Sequence, residues 1–239
     1  MMPRMRMRGS RVARRIEPAV EIVALTVRQR CFYLFCALVL LLIAVPLYEE
    51  SAAGRIALNV MSLLILLSGA SAMGRGGGAF VISLLLAAPA AVFQLLGYAA
   101  ADHRYLILSQ AFAAGFYFIT VSYLLLYALR REVLTMDKLY GAAAGYLMTV
   151  VMWAYFYTLL LWFHPGALSI NGEPLIATEL STILYFSFVT LTATGMSDIL
   201  PVAPVARILC VFEMVIGVLF IAVLIARLAG SYPQEESAR

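Results

Sequence analysis

Long runs of apolar residues dominate the sequence, and polar residues are confined to short breaks between them. Six of these runs are long enough to cross a bilayer core of roughly 30 Å as helices. They cover residues 31–48, 55–73, 79–99, 105–129, 138–163 and 204–229. The pattern therefore predicts an all-α membrane protein with six transmembrane helices.

A seventh apolar segment, residues 177–189, is too short to cross the bilayer as a helix. Pro174 and the candidate N-cap Thr178, followed by Glu179, would begin a short helix there, and the Thr-, Gly- and Ser-rich residues that follow would end it. Irregular backbone is tolerated at membrane depth only inside protein or along a water-filled path. The segment therefore predicts a re-entrant helix and loop that line a pathway between the fifth and sixth spans.

Composition strengthens this interpretation, because 64% of the residues are hydrophobic, only 13% are charged and the mean hydropathy is +0.94. A water-soluble domain could not bury so much apolar surface. The net charge of +4 has a local source, since eight arginines lie within the first 30 residues. We expect this segment to contact anionic lipid headgroups and set the topology, with no role in binding nucleic acid.

Basic residues beside the predicted spans are concentrated on one side of the membrane. That side carries the arginine-rich N-terminal segment together with Arg75, Arg130, Arg131, Lys138, Arg227 and Arg239. The other side carries Arg55, Arg104 and Arg207 among the acidic residues Glu49, Glu50, Asp102, Glu173, Glu179 and Asp198. This asymmetry predicts a multi-pass protein of the inner (plasma) membrane with both termini in the cytoplasm.

The breaks between the apolar runs divide the chain into predicted segments. These are a basic cytoplasmic segment (1–30), a four-helix peripheral domain (31–129), a cytoplasmic linker (130–137), a pore domain (138–230) and a cytoplasmic tail (231–239).

Six spans with a re-entrant loop before the last is also the plan of voltage-gated channels, whose fourth helix carries regularly spaced arginines. Residues 105–129 contain no basic residue, so we expect steep voltage gating to be absent.

Thr190-Leu-Thr-Ala-Thr-Gly-Met-Ser-Asp198 resembles the potassium-channel signature, whose usual form is Thr-x-Thr-Thr-Val-Gly-Tyr-Gly-Asp. The preceding Leu184-Tyr-Phe-Ser-Phe-Val189 resembles the pore helix of the bacterial two-helix-pore subfamily, and the similarity covers roughly residues 138–230. The resemblance implies a pore in which rings of backbone carbonyls replace the hydration shell of K⁺. Because the chain has one copy of the motif, it implies a homotetramer.

The resemblance also assigns roles to individual residues. The backbone carbonyls that would bind K⁺ (or Na⁺) belong to Ala193, Thr194, Gly195 and Met196. No other cofactor is expected. The remaining implied filter residues are Thr192 before these carbonyls and Ser197 and Asp198 after them. Support from the pore helix would come from Tyr185, Phe186 and Thr190. Asp198 would form an acidic ring at the outer mouth or fix the loop by a local hydrogen bond.

Three of the four positions that depart from the family pattern bear on the expected shape of the filter. Ala193 lacks the hydroxyl that would complete the innermost ion site. Met196 lacks the phenol of the usual tyrosine, so we expect the filter to rest on Tyr185 and Phe186 through apolar and thioether contacts. Ser197 replaces a glycine at a position where left-handed backbone costs about 1–2 kcal/mol, so we expect a different shape in the upper filter. Weakly selective cation conduction, K⁺ conduction and little conduction all remain open.

Four residues of the last predicted span are candidates for gating. Glu213 is an ionisable group within an apolar span; it is either a proton sensor or a buried carboxyl bonded to Ser187 or Thr190. Gly217 is either a hinge or a site of close helix packing. Phe220 and Leu224 are candidates for an apolar constriction, or for packing within the bundle.

Other classes of protein are less compatible with the sequence. Apart from Glu213, the spans carry almost none of the side chains that a membrane-embedded enzyme requires, so we expect no enzymatic activity. A secondary transporter usually has interrupted helices in both halves of the chain, whereas one interruption is evident. A non-conducting or sensory membrane protein with a degenerate pore remains the main alternative.

Overall fold

The computed structural model describes residues 30–48, 61–62, 64–70, 78–100, 102–129, 135–175 and 180–230 of the 239-residue chain. Within these residues the principal helices are α1 (Arg30–Tyr48), α2 (Gly78–Ala100), α3 (His103–Leu129), α4 (Met136–Phe163), α5 (Leu180–Leu191) and α6 (Pro204–Ala229). Residues 61–62 and 64–70 are also helical. Three short strands accompany the helices: β1 (Leu168–Ile170), β2 (Glu173–Pro174) and β3 (Ile199–Pro201).

Four helices in the described part of the chain are long and apolar enough to cross a membrane. They are Gly78–Gly97, His103–Leu129, Met136–Phe163 and Pro204–Arg227. The apolar helix Cys31–Val45 is shorter than a span, and the second predicted span falls partly outside the described residues. The basic segment up to residue 29, most of the 130–137 linker and the 231–239 tail also lie outside them. The chain is therefore a mostly helical, multi-pass membrane protein.

Hydroxyl side chains within these apolar helices bond back to the helix backbone. Thr120 donates to the Phe116 carbonyl at 2.9 Å, and Thr149 donates to the Gly145 carbonyl at 2.8 Å. A hydroxyl that bonds to a carbonyl one turn earlier is satisfied without any partner on another helix. This local bonding explains how apolar spans accept threonine without leaving an unpaired polar group in lipid.

The centre of the bundle is α4, which packs against α1, α3, α5 and α6. Its first turns carry the small residues Gly141 and Gly145. A methyl group at Gly141 would lie 3.2 Å from the Cys31 sulfur, and one at Gly145 would lie 3.4 Å from Cβ of Leu124. Glycine at these two positions therefore lets α1 and α3 approach the α4 backbone closely.

The three strands form a small antiparallel sheet in the order β2-β1-β3, which the all-α prediction omitted. Asn171 and Gly172, with φ angles of 51° and 86°, form the two-residue turn between β1 and β2. Two successive left-handed residues are typical of a type I′ hairpin turn, for which Asn-Gly is strongly preferred. Pairing of Leu168 with Pro201 ties the residues after the predicted filter to the segment that follows α4.

The helix α5 has 12 residues, which gives it a length of about 18 Å. It ends at Leu191, two residues later than the apolar segment suggested. The predicted N-cap Thr178 lies outside the described residues. A helix of this length is shorter than a bilayer core of roughly 30 Å, in agreement with the prediction of a segment too short to span.

Candidate functional site

The rear face of α5 is fixed by a buried hydrogen-bond cluster that joins three helices, and its acidic member is Glu213 of α6. This side chain is fully buried (0% exposed). Oε2 accepts a hydrogen bond from the Tyr157 hydroxyl of α4 at 2.6 Å, and Oε1 lies 2.5 Å from the Ser187 hydroxyl of α5. We call Tyr157, Ser187 and Glu213 the rear cluster. It realises the predicted contact between Glu213 and Ser187.

Hydrogen counting indicates which form of Glu213 fits the rear cluster. The Ser187 hydroxyl lies 2.5 Å from Glu213 Oε1 and 2.9 Å from the Val150 carbonyl oxygen, but a serine hydroxyl has one hydrogen to donate. If Glu213 is protonated at Oε1, it donates to Ser187, which then donates to Val150, and all three contacts are satisfied. If Glu213 is ionised, one of the two Ser187 contacts lacks a hydrogen. The geometry therefore favours the protonated carboxyl.

Thr190, the other suggested partner of Glu213, bonds elsewhere. Its hydroxyl donates to the Phe186 carbonyl at 2.8 Å, within its own helix. Phe186 is buried, and its ring packs edge to face on Tyr157 with centroids 5.0 Å apart. Both side chains are therefore buried within the protein.

The end of α5 is in backbone contact with α6 at Gly217. A Cβ atom built on Gly217 would overlap the Leu191 carbonyl oxygen and lie 2.9 Å from the Leu191 carbonyl carbon. Because a backbone atom cannot rotate away as a side chain can, the position accepts only glycine in this arrangement. The packing alternative for Gly217 thus has a specific contact, at the point where α5 ends and the loop begins.

The loop after α5, residues 192–198, is anchored at its beginning by the last carbonyls of that helix. The backbone amides of Thr192, Ala193 and Thr194 donate to the carbonyls of residues 188, 190 and 189 at 3.0, 3.0 and 3.1 Å. The Thr192 hydroxyl also donates to the Phe188 carbonyl at 2.7 Å. These bonds satisfy carbonyls that a helix end otherwise leaves without partners.

The loop backbone alternates in handedness over its first half only. Ala193 and Gly195 have left-handed φ angles of 54° and 69°, with Thr194 between them in the ordinary range. When mirror-related conformations alternate, successive carbonyls turn to the same side of the chain. Among the described residues other than glycine, positive φ occurs only at Asn171 and Ala193. Ser197 therefore does not continue the alternation, and the upper half of the loop differs from the lower half.

The contact between the loop and α5 is a hydrogen bond, whereas the sequence predicted an apolar contact. Tyr185 donates its hydroxyl hydrogen to the Met196 carbonyl oxygen at 2.5 Å. The Met196 side chain is 76% exposed in the single chain. The predicted thioether contact stays a prediction, and the contact that the single chain shows is a hydrogen bond from a tyrosine of α5 to the backbone of Met196.

Ser197 fixes the outer end of the loop, the local role that the sequence suggested for Asp198. The Ile199 amide donates to the Ser197 hydroxyl oxygen at 3.0 Å, a turn of the kind that serine side chains commonly stabilise. Asp198 is exposed, and within the described residues its carboxylate accepts no hydrogen bond. Its charge therefore stays available at the surface of the loop.

The two remaining gating candidates lie beyond Gly217 on α6. Phe220 is buried, and its ring packs on Tyr146 of α4 with centroids 5.5 Å apart. This contact agrees with the alternative that Phe220 packs within the bundle. Leu224 is partly buried. Most other apolar side chains of α6 are exposed in the single chain, including Phe212, Leu219 and Ile225.

Comparison with known proteins bears on the segment that contains these features. Residues 145–232 match a family model described as an ion channel. The match begins in α4, includes α5 and the loop, and extends past the end of α6. It supports an ion-channel family and a channel rather than an enzyme. No curated protein and no solved structure shows a significant match to the chain.

Sequence reasoning missed Tyr157, Val150 and the hydrogen bond from Tyr185. Tyr157 and Glu213 are 56 positions apart, and no local pattern connects residues at such a separation. The Asn171-Gly172 pair, by contrast, is a recognised short-range signal for a hairpin that could have indicated the small sheet.

Proposed function

We propose that four copies of this chain form a passive channel for monovalent cations, with residues 192–198 of each copy lining the narrow part of the pore. The observation that carries this proposal is the loop itself. It follows a helix too short to span a bilayer, lies within the segment that matches an ion channel, and has left-handed backbone at Ala193 and Gly195. Irregular backbone at membrane depth is tolerated only inside protein or along a water-filled path, and residues 192–196 are exposed in the single chain.

The ion is K⁺, with Na⁺ poorly excluded. Carbonyls of Ala193, Thr194 and Gly195 accept no hydrogen bond from any described residue, so their oxygens are available as ligands. Carbonyl oxygens replace the water around a dehydrated cation, and discrimination depends on how many well-formed sites follow one another. With Ala193 in place of a threonine and the upper half of the loop reshaped, we expect fewer sites and weaker selectivity.

The tetramer supplies what a single chain lacks. One loop presents carbonyls on one side of an ion only, so a ring requires several copies around an axis. The largely exposed apolar surface of α6 is consistent with further contacts to other copies and to lipid. Asp198, repeated four times at the outer mouth, would concentrate cations there.

The gating and location follow from the charge pattern. The stretch 105–129 of α3 has no arginine or lysine, so the membrane potential has no charge to act on in this helix. We expect conduction without steep voltage dependence, in the plasma membrane, with both termini cytoplasmic and the arginine-rich N-terminal segment at anionic headgroups.

The direct test is electrical recording from purified protein in planar bilayers with K⁺ and Na⁺ on both sides and opposite gradients of the two ions. We expect a cation current with a reversal potential between zero and the K⁺ equilibrium value. A reversal at the K⁺ equilibrium value would contradict weak selectivity. Absence of any current from a protein whose detergent-solubilised mass corresponds to four chains would favour the non-conducting alternative.

Two glycine variants connect the current to the loop. Gly195 and Gly172 both have left-handed backbone, with φ angles of 69° and 86°, and open space around a new Cβ. Alanine at either position introduces a similar strain of about 1 kcal/mol, but only Gly195 lies in the loop. We expect Gly195→Ala to reduce the current at least tenfold and Gly172→Ala to leave it unchanged. Equal effects of the two variants would argue against a filter at residues 192–198.

A further inference from the structure

The hydrogen bond between Tyr185 and Met196 divides the four carbonyls that the sequence assigns to ion binding. The Met196 oxygen lies 2.5 Å from the Tyr185 hydroxyl. Among the described residues, the oxygens of Ala193, Thr194 and Gly195 accept no such bond. Three carbonyls of the loop are thus uncommitted, and the fourth is held by a side chain of the same chain.

The direction of this bond decides what the Met196 carbonyl can do. Tyr185 belongs to α5, the helix that supports the loop, so a carbonyl bonded to its hydroxyl points toward the supporting helix. A carbonyl that binds a conducted ion must point the opposite way, toward the pore axis. The Met196 carbonyl is therefore withdrawn from the conduction path.

The backbone of Ser197 explains how the carbonyl comes to face Tyr185. The peptide plane that carries the Met196 oxygen is shared by Met196 and Ser197, so φ of Ser197 helps to set its direction. Continued alternation after Gly195 would require left-handed backbone at Ser197, which a side chain disfavours. Ser197 avoids that conformation, and its hydroxyl accepts the Ile199 amide instead.

We propose that Tyr185 determines ion specificity by holding the Met196 carbonyl out of the conduction path, which leaves three carbonyl rings in the tetramer. This inference rests on the proposed channel function. Fewer carbonyl rings give fewer successive sites at which K⁺ and Na⁺ are distinguished. Weak selectivity is thus actively maintained by a hydroxyl on the pore helix, in addition to the substitutions in the motif.

The variant Tyr185→Phe tests this role, because it removes the hydroxyl and keeps the ring. Released from its donor, the Met196 carbonyl can turn toward the axis and add a fourth ring. We expect the ratio of K⁺ to Na⁺ permeability to rise about 2- to 10-fold, the factor that corresponds to one hydrogen bond. An unchanged or lower ratio in a conducting variant would overturn the proposal, since a lower ratio would mean that the bond preserves the filter.

Tyr105→Phe is the matched control for the loss of a tyrosine hydroxyl. Tyr105 lies on α3, outside the segment that matches an ion channel, and its ring stacks on Phe93 with centroids 6.3 Å apart. Because phenylalanine preserves this stacking, we expect the permeability ratio to stay at the wild-type value. A similar rise in both variants would show a general effect of the substitution and overturn the specific role of Tyr185.

A second measurement tests the hydrogen bond without any current. Labelling methionine with ¹³C at the carbonyl and serine with ¹⁵N selects two peptide bonds in the NMR spectrum, Met61-Ser62 and Met196-Ser197. We expect Tyr185→Phe to move the Met196 carbonyl signal and leave the Met61 signal in place. A stationary Met196 signal would refute the hydrogen bond even if the protein conducts. Absence of wild-type current with a moving signal would count against the channel function alone.

Discussion

The two faces of α5 differ in how completely their polar groups are paired. On the rear face, Ser187 and Glu213 are fully buried and form hydrogen bonds with short donor-to-acceptor distances. On the front face, the loop carbonyls of Ala193, Thr194 and Gly195 are exposed in the single chain and accept no bond from the described residues. The same short helix is thus anchored on one side and is followed by a loop whose carbonyls are uncommitted on the other.

The difference follows from solvent access. An unpaired polar group in a buried site costs about 1–3 kcal/mol, so every group on the rear face needs a partner inside the protein. An oxygen on the front face can be hydrated or can bind an ion, and therefore needs none. A rigid support with free oxygens before it is the arrangement that carbonyl coordination of a cation requires.

Among the variants that test this difference between the two faces, Gly217→Ala is expected to have the largest effect on stability. Gly217→Ala places a Cβ atom on the Leu191 carbonyl, so α5 and α6 must separate. We expect the free energy of unfolding to fall by about 3 kcal/mol, the upper end of what overpacking usually costs, measured by thermal denaturation in detergent micelles.

Gly115→Ala is the control for this substitution. A methyl group at Gly115 of α3 would meet only the Leu86 side chain, at 3.6 and 3.7 Å, which is ordinary contact. We expect its stability to remain within about 0.5 kcal/mol of the wild type. If Gly217→Ala were equally harmless and altered only channel opening, the hinge alternative would replace the packing one.

A somewhat smaller effect is expected in the rear cluster. Glu213→Ala removes the acceptor of the Tyr157 hydroxyl, and we expect a loss of about 1–3 kcal/mol in thermal denaturation. Glu213→Gln should stay close to the wild type, because its amide nitrogen can donate to Ser187 while its oxygen accepts from Tyr157, as a protonated carboxyl does.

The pair of Glu213 variants also decides between the two forms of the carboxyl. Equal destabilisation by glutamine and alanine would argue against a protonated Glu213. Recording the current of Glu213→Gln at several pH values separates a sensor from a structural carboxyl. Loss of pH dependence with intact assembly would support the sensor alternative.

The smallest of these effects is expected at the outer end of the loop. Ser197→Ala removes the acceptor of the Ile199 amide, in a hydrogen bond that is only partly buried. Because water can replace the hydroxyl, we expect no more than about 0.5–1.5 kcal/mol of destabilisation. A loss as large as that of Glu213→Ala would show that the front of the site is as firmly fixed as the rear, against the comparison made above.

Several features of the fold and site were predictable from the sequence, and each depends on a local or periodic pattern. Helices that confirm four of the six predicted spans follow from apolar runs of the required length. The pairing of Glu213 with Ser187 was one of two alternatives, since a buried carboxyl needs a donor and hydroxyls of α5 were the nearest candidates. Thr190 was excluded only by the direction of its side chain.

The contacts of the loop at residues 192–198 show where sequence reasoning fails. The motif placed Tyr185 beside Met196 but suggested an apolar contact, because only the side chain of Met196 was considered. The acceptor is instead the backbone oxygen of Met196, which every residue type carries. Its direction depends on dihedral angles of the loop, and these are not readable from the residue names.

By itself, the sequence determined that this chain enters a membrane and that a short apolar segment lies between its last two spans. It also determined that the residues after this segment resemble an ion filter. These properties depend on hydropathy, length and local spacing, which are carried by consecutive residues. Only the tertiary structure decided that Tyr157 and Ser187 form hydrogen bonds with Glu213. It also decided that the end of α5 contacts Gly217 and that Tyr185 donates a hydrogen bond to the Met196 carbonyl. Those contacts join residues far apart in the chain or depend on backbone direction, and both are fixed only when the helices pack.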